Sequence, residues 1–190
     1  MEHFYQTVDG FMGPRNIMMF DLIVKDFPKS GTWVELGSWM GRSTAYCAVE
    51  LINSDKIGKF YCVDTWQGGD TLENHTWVLD GTIKQRFLDN IVPIAQHITP
   101  IQSISWIAAD HFADASVDFC YVDALHTYEG VMQDLTAWWP KIKPGAWFAG
   151  DDYTKGWPGV QQAVQEFFIK QDVRFDRCGR CWLVKKPEII

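Results

Sequence analysis

The chain has 190 residues and a formal charge of −7 at neutral pH, and 47% of its residues are hydrophobic and 22% charged. These values predict a single globular domain over residues 1–190 and exclude a disordered chain. The acidic charge argues against nucleic acid or an anionic membrane as the main partner. The sequence has no run of 18 apolar residues and no secretory leader pattern, so we expect a cytoplasmic protein with its five cysteines reduced.

Helical and β patterns alternate along the chain. Residues 1–13 have no clear period and are expected to form a mobile flap over the site. Apolar spacing, prolines and turn residues predict helices at 14–27, 42–53, 82–91, 104–112, 127–139 and 158–170. Apolar runs predict strands at 32–36, 59–63, 97–102, 117–122 and 143–149, followed by a closing hairpin of 173–177 and 182–186.

This alternation predicts an α/β fold, a Rossmann-like doubly wound sheet that is mostly parallel with a C-terminal antiparallel hairpin strand. Such sheets bind ligands beyond the carboxyl ends of their strands. The polar residues and glycines of interest all follow strands: Gly37, Gly41, Asp64, Asp123, Asp151 and Asp152. The topology should therefore gather them at one edge of the sheet.

The first strand opens through two glycines into a helix near Arg42. Gly37 allows a tight turn, and Gly41 removes side-chain bulk so that a ligand can approach the backbone. A strand that passes through glycines into a helix N-terminus is typical of a nucleotide-type cofactor site. The alternative is an ordinary βα turn with a packed glycine.

The glycine spacing distinguishes two cofactors. A dinucleotide fingerprint reads G-x-G-x-x-G, whereas Gly37 and Gly41 are four apart and Glu35 lies two before the first. This E-x-G-x-x-x-G pattern resembles motif I of class I S-adenosylmethionine (SAM)-dependent methyltransferases. Asp64 closes the next strand, where an acid can bind both ribose hydroxyls of either SAM or NAD. The glycine spacing therefore favours SAM.

A second group of residues follows strands 4 and 5. Asp123 and His126 come after strand 4, and Asp151 and Asp152 come after strand 5. If these strands are neighbours, three carboxylates lie close together and repel one another. Carboxylates and water suit Mg²⁺ or Mn²⁺, so a divalent cation would relieve the repulsion. Each acid taken alone is also a common helix cap or turn former.

The combined motifs resemble the small metal-dependent O-methyltransferases with the catechol O-methyltransferase-like fold, especially the macrolide-sugar branch. The resemblance covers residues 31 to about 168. The motifs that carry it are E-x-G-S-x-x-G-R-S-T, V-D-T-W, D-x-x-H-x-Y-E-G-V, W-W-P-x-I-x-P-G, D-D-Y and P-G-V-x-x-A-V. Many members read D-G-D-H where this chain has Asp123-Ala-Leu-His126, so one acid is missing.

The resemblance implies metal-dependent transfer of a methyl group from SAM to a hydroxyl oxygen of a small sugar or phenol. It implies Asp123, Asp151 and Asp152 as ligands of Mg²⁺ or Mn²⁺ and His126 as the general base. With the glycine turn it gives the expected cofactor-binding residues: Glu35, Gly37, Ser38, Gly41, Ser43, Asp64, Ser103 (near the adenine) and Asp123. A homo-oligomer is compatible with the sequence.

Other functions stay open at this point. They are a metal-free SAM methyltransferase for another acceptor, a non-catalytic SAM-binding module and, less well matched, an NAD-dependent oxidoreductase. The Cys178-Gly-Arg-Cys181 motif lies between β runs and is interpreted as a hairpin turn with incidental cysteines, since redox pairs normally open a helix. Loop residues that could stack on an acceptor are Trp66, His75, Trp77, Tyr153 and Trp157.

Overall fold

The computed structural model describes residues 1–69 and 76–188. The helices in these ranges are α1 Pro14–Asp26, α2 Arg42–Asn53, α3 Thr76–Leu79, α4 Ile83–Asn90, α5 Ser105–Ala108, α6 Tyr128–Trp138 and α7 Pro158–Lys170. The strands are β1 Thr32–Leu36, β2 Lys59–Asp64, β3 Ile98–Gln102, β4 Val117–Val122, β5 Ile142–Gly150, β6 Asp176–Cys178 and β7 Cys181–Lys185.

The strands form a single sheet in the order β3-β2-β1-β4-β5-β7-β6. The first five in this order are parallel, and β7 pairs antiparallel with both β5 and β6. The predicted mostly parallel sheet with a C-terminal hairpin is therefore confirmed, as is the adjacency of strands 4 and 5. The order reverses between β1 and β4, and ligands of open α/β sheets bind at such a reversal.

The core consists of two apolar clusters, one on each face of the sheet. Alternation along the strands separates them: Trp33 of β1 and Phe119 of β4 lie in one cluster, with ring centroids 4.2 Å apart. Val34 and Cys120, the next residues along, lie in the other cluster. Because both faces of β4 are covered, all six of its residues are buried, the charged Asp118 among them, as expected for a strand with apolar residues on both faces.

Three segments differ from expectation. The predicted helix at 104–112 is a single α-helical turn, α5, followed by a 3-10 turn at Ala109–His111. The predicted strand at 173–177 begins only at Asp176, because pairing with β7 extends over three residues, Asp176 to Cys178. The short helix α3 was not predicted.

The N-terminal segment packs against α2 at several points. His3 contacts Glu50 at 2.6 Å, Val8 is buried, and the carbonyl oxygen of Gly10 accepts a hydrogen bond from Arg42. Gly10, Phe11 and Met12 line the cavity described below, so the segment lies over the expected site. Its mobility stays a prediction. No helix within the described ranges is long and apolar enough to cross a membrane.

Candidate active site

A cavity of about 480 Å³ lies at the carboxyl edge of the sheet. Residues that follow β1, β2, β4 and β5 line it, among them Gly37, Asp64, Asp123 and Asp151. The parallel topology thus brings these strand ends together, as the sequence predicts. The cavity has two halves, a glycine-turn half around β1 and β2 and an acidic half around β4 and β5.

Gly37 allows the ends of β1 and β4 to meet. Its φ is +84°, and a Cβ atom placed on it would lie 1.9 Å from the carbonyl oxygen of Asp123. Its N–H donates to the carbonyl oxygen of Val63 on β2 at 2.8 Å. Any side chain at this position would therefore strain the backbone and separate two strand ends that form the floor of the cavity.

Glu35 lies behind the cavity wall instead of in it. Its carboxylate is buried and accepts hydrogen bonds from the hydroxyls of Ser43, at 2.5 Å, and of Thr44, both in the first turn of α2. Burial raises the pKa of Glu35, and these hydroxyls partly offset the effect. Ser38 and Ser43 do line the cavity. Glu35 therefore holds the start of α2 in place behind them.

Gly41 is needed for a different reason from the one expected. Its φ is +89°, immediately before α2, which favours glycine. A Cβ atom here would lie 3.0 Å from the side chain of Ile91 and 3.2 Å from that of Phe87, and Gly41 does not line the cavity. The expectation that Gly41 leaves room for a ligand is therefore wrong, because the space beside Gly41 is filled by Phe87 of α4 and by Ile91, which follows α4.

Asp64 ends β2 with its carboxylate at the cavity. One oxygen accepts the backbone N–H of Trp39 at 2.8 Å and the other that of Trp66 at 2.7 Å. Burial raises the pKa of Asp64, and these backbone donors partly offset the rise. The N–H of Ser103 donates to the carbonyl oxygen of Asp64 at 3.1 Å. The expected ribose-binding acid and the expected adenine-side residue are thus neighbours, and both line the cavity.

In the acidic half, Asp123, His126 and Asp152 converge. Each offers one ligand atom, and these atoms all lie within 4.8 Å of one another. His126 Nε2 is 2.8 Å from Asp152 Oδ2, and the imidazole ring stacks on Trp157 with centroids 4.3 Å apart. Burial alone would raise the pKa of Asp152, but His126 and Arg180 lower it below its ordinary value. Asp152 is therefore ionised at neutral pH, and His126 donates the hydrogen bond from Nε2.

Asp151 also lines the cavity but is not a member of this converging group. One oxygen accepts from Asn16 Nδ2 at 2.7 Å and from the hydroxyl of Tyr121 at 3.3 Å. The other accepts from Arg180 Nε at 2.8 Å and from the N–H of Asp152 at 2.7 Å. The predicted set of three carboxylate ligands is therefore corrected: Asp123 and Asp152 converge with His126, whereas five donors, the Cys181 thiol at 3.8 Å among them, already bond the Asp151 carboxylate.

Arg180 is the residue of the site that sequence reasoning missed. Its guanidinium donates to Asp151 through Nε and to Asp152 through Nη2, and it lines the cavity. Arg180 lies in the C-x-x-C turn, which was considered only for its cysteines. A signal was available, because a last strand antiparallel to β5 brings the preceding turn to the carboxyl end of β5.

The acidic half carries more negative charge than its own cations balance. Burial and the charges of Asp151 and Asp152 raise the pKa of Asp123 well above its ordinary value, although Arg180 is nearby. A hard divalent cation is the kind of ligand that relieves such repulsion, and Asp123, Asp152 and His126 offer it oxygen and nitrogen donors. The residues present therefore fit a divalent cation.

The comparison with known families agrees with this geometry. The sequence profile of the family described as "Methyltransferase domain" matches residues 34–153, from β1 to Tyr153, which follows Asp151 and Asp152. The chain belongs to this methyltransferase family. The predicted class I, SAM-dependent methyltransferase is thereby confirmed, and a search of curated proteins found no match.

Solved structures of methyltransferases share the fold. The O-methyltransferase NovP is 17% identical, with 93% of this chain and 81% of NovP covered and a TM-score of 0.68. CalS11, described as a TDP-rhamnose 3'-O-methyltransferase, is 16% identical, with 91% and 80% covered and a TM-score of 0.61. An rRNA methylase from Streptococcus thermophilus is 14% identical, with 94% and 100% covered and a TM-score of 0.63. At these identities the matches establish the methyltransferase fold.

The aromatic residues considered for acceptor stacking have different positions in this methyltransferase. Trp157 lines the cavity and stacks on His126, whereas Trp66 is buried against Phe87. Trp77 stacks with Arg86, and Tyr153 is buried with its hydroxyl accepting from Gln165. His75 lies outside the described residues. Trp157 is thus the member of this group, within the described ranges, that can face an acceptor.

Proposed function

We propose that this methyltransferase transfers the methyl group of SAM to a hydroxyl oxygen of a small molecule, with His126 as the base and a divalent cation in the acidic half. The observation that carries the proposal is the hydrogen-bonded pair of His126 and Asp152 at the cavity wall. Binding SAM alone requires neither a histidine nor a cluster of carboxylates, so the pair argues for catalysis.

The glycine-turn half supplies the SAM site in this proposal. Gly37 and Ser38 line the turn that leads to α2, and Ser43 lies in its first turn, where the helix dipole and free N–H groups favour acceptor atoms of the cofactor. Asp64 and Ser103 lie together at the ends of β2 and β3, where the ribose and adenine would be held. Asp123, across from Gly37, closes the boundary between the two halves.

The acidic half supplies proton transfer. Asp152 accepts a hydrogen bond from the Nε2–H of His126 and, being ionised, stabilises the imidazolium that forms when the other ring nitrogen removes a proton from the acceptor. The stacked Trp157 holds the imidazole ring in one orientation. The acceptor oxygen then forms its bond to the SAM methyl carbon as the carbon–sulfur bond breaks. Holding the two reactants in contact lowers the barrier to this step.

Asp123 and Asp152 are the residues we assign to the cation, Mg²⁺ or Mn²⁺. When bound, it would act as a Lewis acid that lowers the pKa of the acceptor hydroxyl. Burial and the negative charges of Asp151 and Asp152 raise the pKa of Asp123, and this supports the assignment because a cation would favour its ionised form. His126 lies close enough to be a third ligand, and the experiment below separates the two roles of His126.

A small, uncharged or weakly charged acceptor suits the cavity. Its volume of about 480 Å³ lies in the range of small-molecule sites. Neighbours with this fold are named for different acceptors, a TDP-sugar for CalS11 and rRNA for the Streptococcus thermophilus protein. The net charge of −7 and the acidic wall disfavour RNA, so we infer a sugar or phenol hydroxyl.

The test compares wild type with His126→Gln. Turnover is measured as S-adenosylhomocysteine release with a panel of sugars and phenols, and SAM and Mn²⁺ affinities are measured by calorimetry. If His126 is the base, turnover falls by about 10²–10⁴-fold while both affinities stay within about 3-fold. A large loss of Mn²⁺ affinity would make His126 a ligand instead. Full wild-type turnover in excess EDTA would favour metal-free methyl transfer.

A further inference from the structure

Both oxygens of the Asp152 carboxylate are already engaged. Oδ1 accepts from Arg180 Nη2, and Oδ2 accepts from His126 Nε2 at 2.8 Å. A cation that binds Asp152 must therefore displace or share one of these two donors. The guanidinium and a divalent cation would each place a positive charge next to the carboxylates and reduce their mutual repulsion.

Arg180 is the donor that can leave with less disruption. Its side chain is 45% exposed, whereas that of His126 is 17% exposed and stacks on Trp157. The backbone of Arg180 is fixed, since its carbonyl oxygen accepts the N–H of Tyr153 at 2.8 Å. Movement of the guanidinium thus needs only side-chain rotation, with the hairpin left in place.

We propose that Arg180 is an internal cation that holds the acidic half together without metal and gives up Asp152 when a divalent cation binds. The inference rests on the metal site of the proposed function. It assigns a role to the turn between β6 and β7, which neither the SAM site nor the proton transfer uses. Its consequence is that wild-type metal affinity is weakened by the exchange with Arg180.

The test titrates Mn²⁺ into metal-free wild type, Arg180→Gln and Arg180→Lys, with calorimetry as the readout. Arg180→Gln should bind Mn²⁺ about 5- to 150-fold more tightly than wild type, because no guanidinium has to be displaced. Without metal it should unfold several degrees lower than wild type, and Mn²⁺ should remove this difference. Arg180→Lys keeps the charge but lacks the paired donors of a guanidinium, so its Mn²⁺ affinity should lie between those of wild type and Arg180→Gln.

Arg177→Gln is the matched control. Arg177 lies on the same hairpin with its guanidinium 4.8 Å from the ring of Tyr153, and it bonds to backbone carbonyls instead of to the acids. Its Mn²⁺ affinity should equal that of wild type. Should Arg180→Gln fail to fold, Arg180→Lys must still bind Mn²⁺ more tightly than wild type.

The outcomes separate this inference from the proposed metal site. If wild type binds Mn²⁺ and Arg180→Gln binds it equally or more weakly, the competition is refuted while the metal site stands. If Arg180→Gln binds Mn²⁺ and wild type does not, the competition is complete and supports the inference. If no folded variant binds Mn²⁺ at millimolar concentration, both the metal site and the competition are refuted.

Discussion

The two halves of the cavity satisfy their buried acids in different ways. In the glycine-turn half, Glu35 is bonded by Ser43 and Thr44, eight and nine residues away, and Asp64 by backbone N–H groups, one of them two residues away. In the acidic half, Asp151 is bonded by Asn16 and Arg180, which are 135 and 29 residues away. The first half is built from neutral, mostly local donors and the second from distant partners that include a cation.

This difference has an energetic consequence. The acids of the glycine-turn half are bonded by neutral donors, so a substitution there removes no paired cation. Each hydrogen bond there contributes about 1 kcal/mol to stability. The acidic half depends on distant donors, among them the half-exposed guanidinium of Arg180, and each buried donor left without its acceptor costs about 1–3 kcal/mol. Substitutions in the acidic half should therefore affect folding most, whereas substitutions in the glycine-turn half should affect cofactor binding most.

The largest effect on folding is expected from Asp151→Ala. The change leaves the buried side chains of Asn16 and Tyr121 without the acceptor they share, at about 1–3 kcal/mol each, so the free energy of unfolding should fall by about 2–5 kcal/mol. Urea unfolding in the presence of EDTA measures it. Asp26→Ala is the control, since Asp26 is half-exposed and its pair with Lys185 should contribute less than about 1 kcal/mol. If both variants lose the same free energy of unfolding, the buried contacts of Asp151 contribute no more to stability than an exposed ion pair does.

Another buried acid, Asp134 of α6, shows the effect of burial where a carboxylate has neither well-placed neutral donors nor a cation. Neither oxygen makes a hydrogen bond of ordinary geometry in the described part of the chain. Burial raises its pKa from 3.8 to about 7, although the Ser105 hydroxyl partly offsets the rise. The folded protein therefore favours the protonated acid. Its stability should fall as the pH rises from about 4 to about 7 and then stay at the lower value.

Asp134→Asn should remove this pH dependence. At pH 8 the substitution should stabilise the protein by roughly 2–4 kcal/mol, since the pKa difference corresponds to about 4 kcal/mol at most. Near pH 4 it should change stability by less than about 1 kcal/mol. Urea unfolding at the two pH values gives the comparison. The same effect at both would mean that the Asp134 carboxyl does not titrate between them in the folded protein.

The contrast also explains which features could be predicted from sequence. The turn at Gly37, the position of Asp64 and the adjacency of β4 and β5 follow from local patterns and from the rules of parallel sheets. The role of Asn16 depends on where α1 packs, which no local pattern specifies. The place of Arg180 follows from the antiparallel pairing of the closing strand with β5, which is a property of the sheet topology and not of a local motif. Asn16 in particular is one polar residue within a helical pattern, which sequence alone would place at the surface.

Gly41 is a second case in which the sequence predicted the backbone conformation but not the packing around it. Its spacing from Gly37 correctly indicated the methyltransferase turn, and its positive φ confirms that a glycine is favoured there. The reason for its missing side chain was wrong, because Phe87 and Ile91 approach it from an element whose packing could not be read from the sequence. A local motif therefore predicted the backbone conformation but not the neighbours.

Asp64→Asn should lower the free energy of unfolding by only about 1–3 kcal/mol, and its main effect should be on cofactor binding. An amide accepts only one of the two backbone N–H groups of Trp39 and Trp66, so the ribose-binding group is also reoriented. SAM affinity should fall by about 10- to 100-fold, measured by calorimetry, while Mn²⁺ affinity stays within about 2-fold.

Gln102→Ala provides the control for this substitution, because Gln102 pairs with Asp64 in the sheet but does not line the cavity. It should leave SAM affinity within about 2-fold of wild type, since only two exposed hydrogen bonds are lost, one to the carbonyl oxygen of Thr65 and one from Lys84 Nζ. Unchanged SAM affinity in Asp64→Asn would place the ribose elsewhere. A parallel loss of Mn²⁺ affinity would show instead that the two halves are coupled, since independent sites should respond separately.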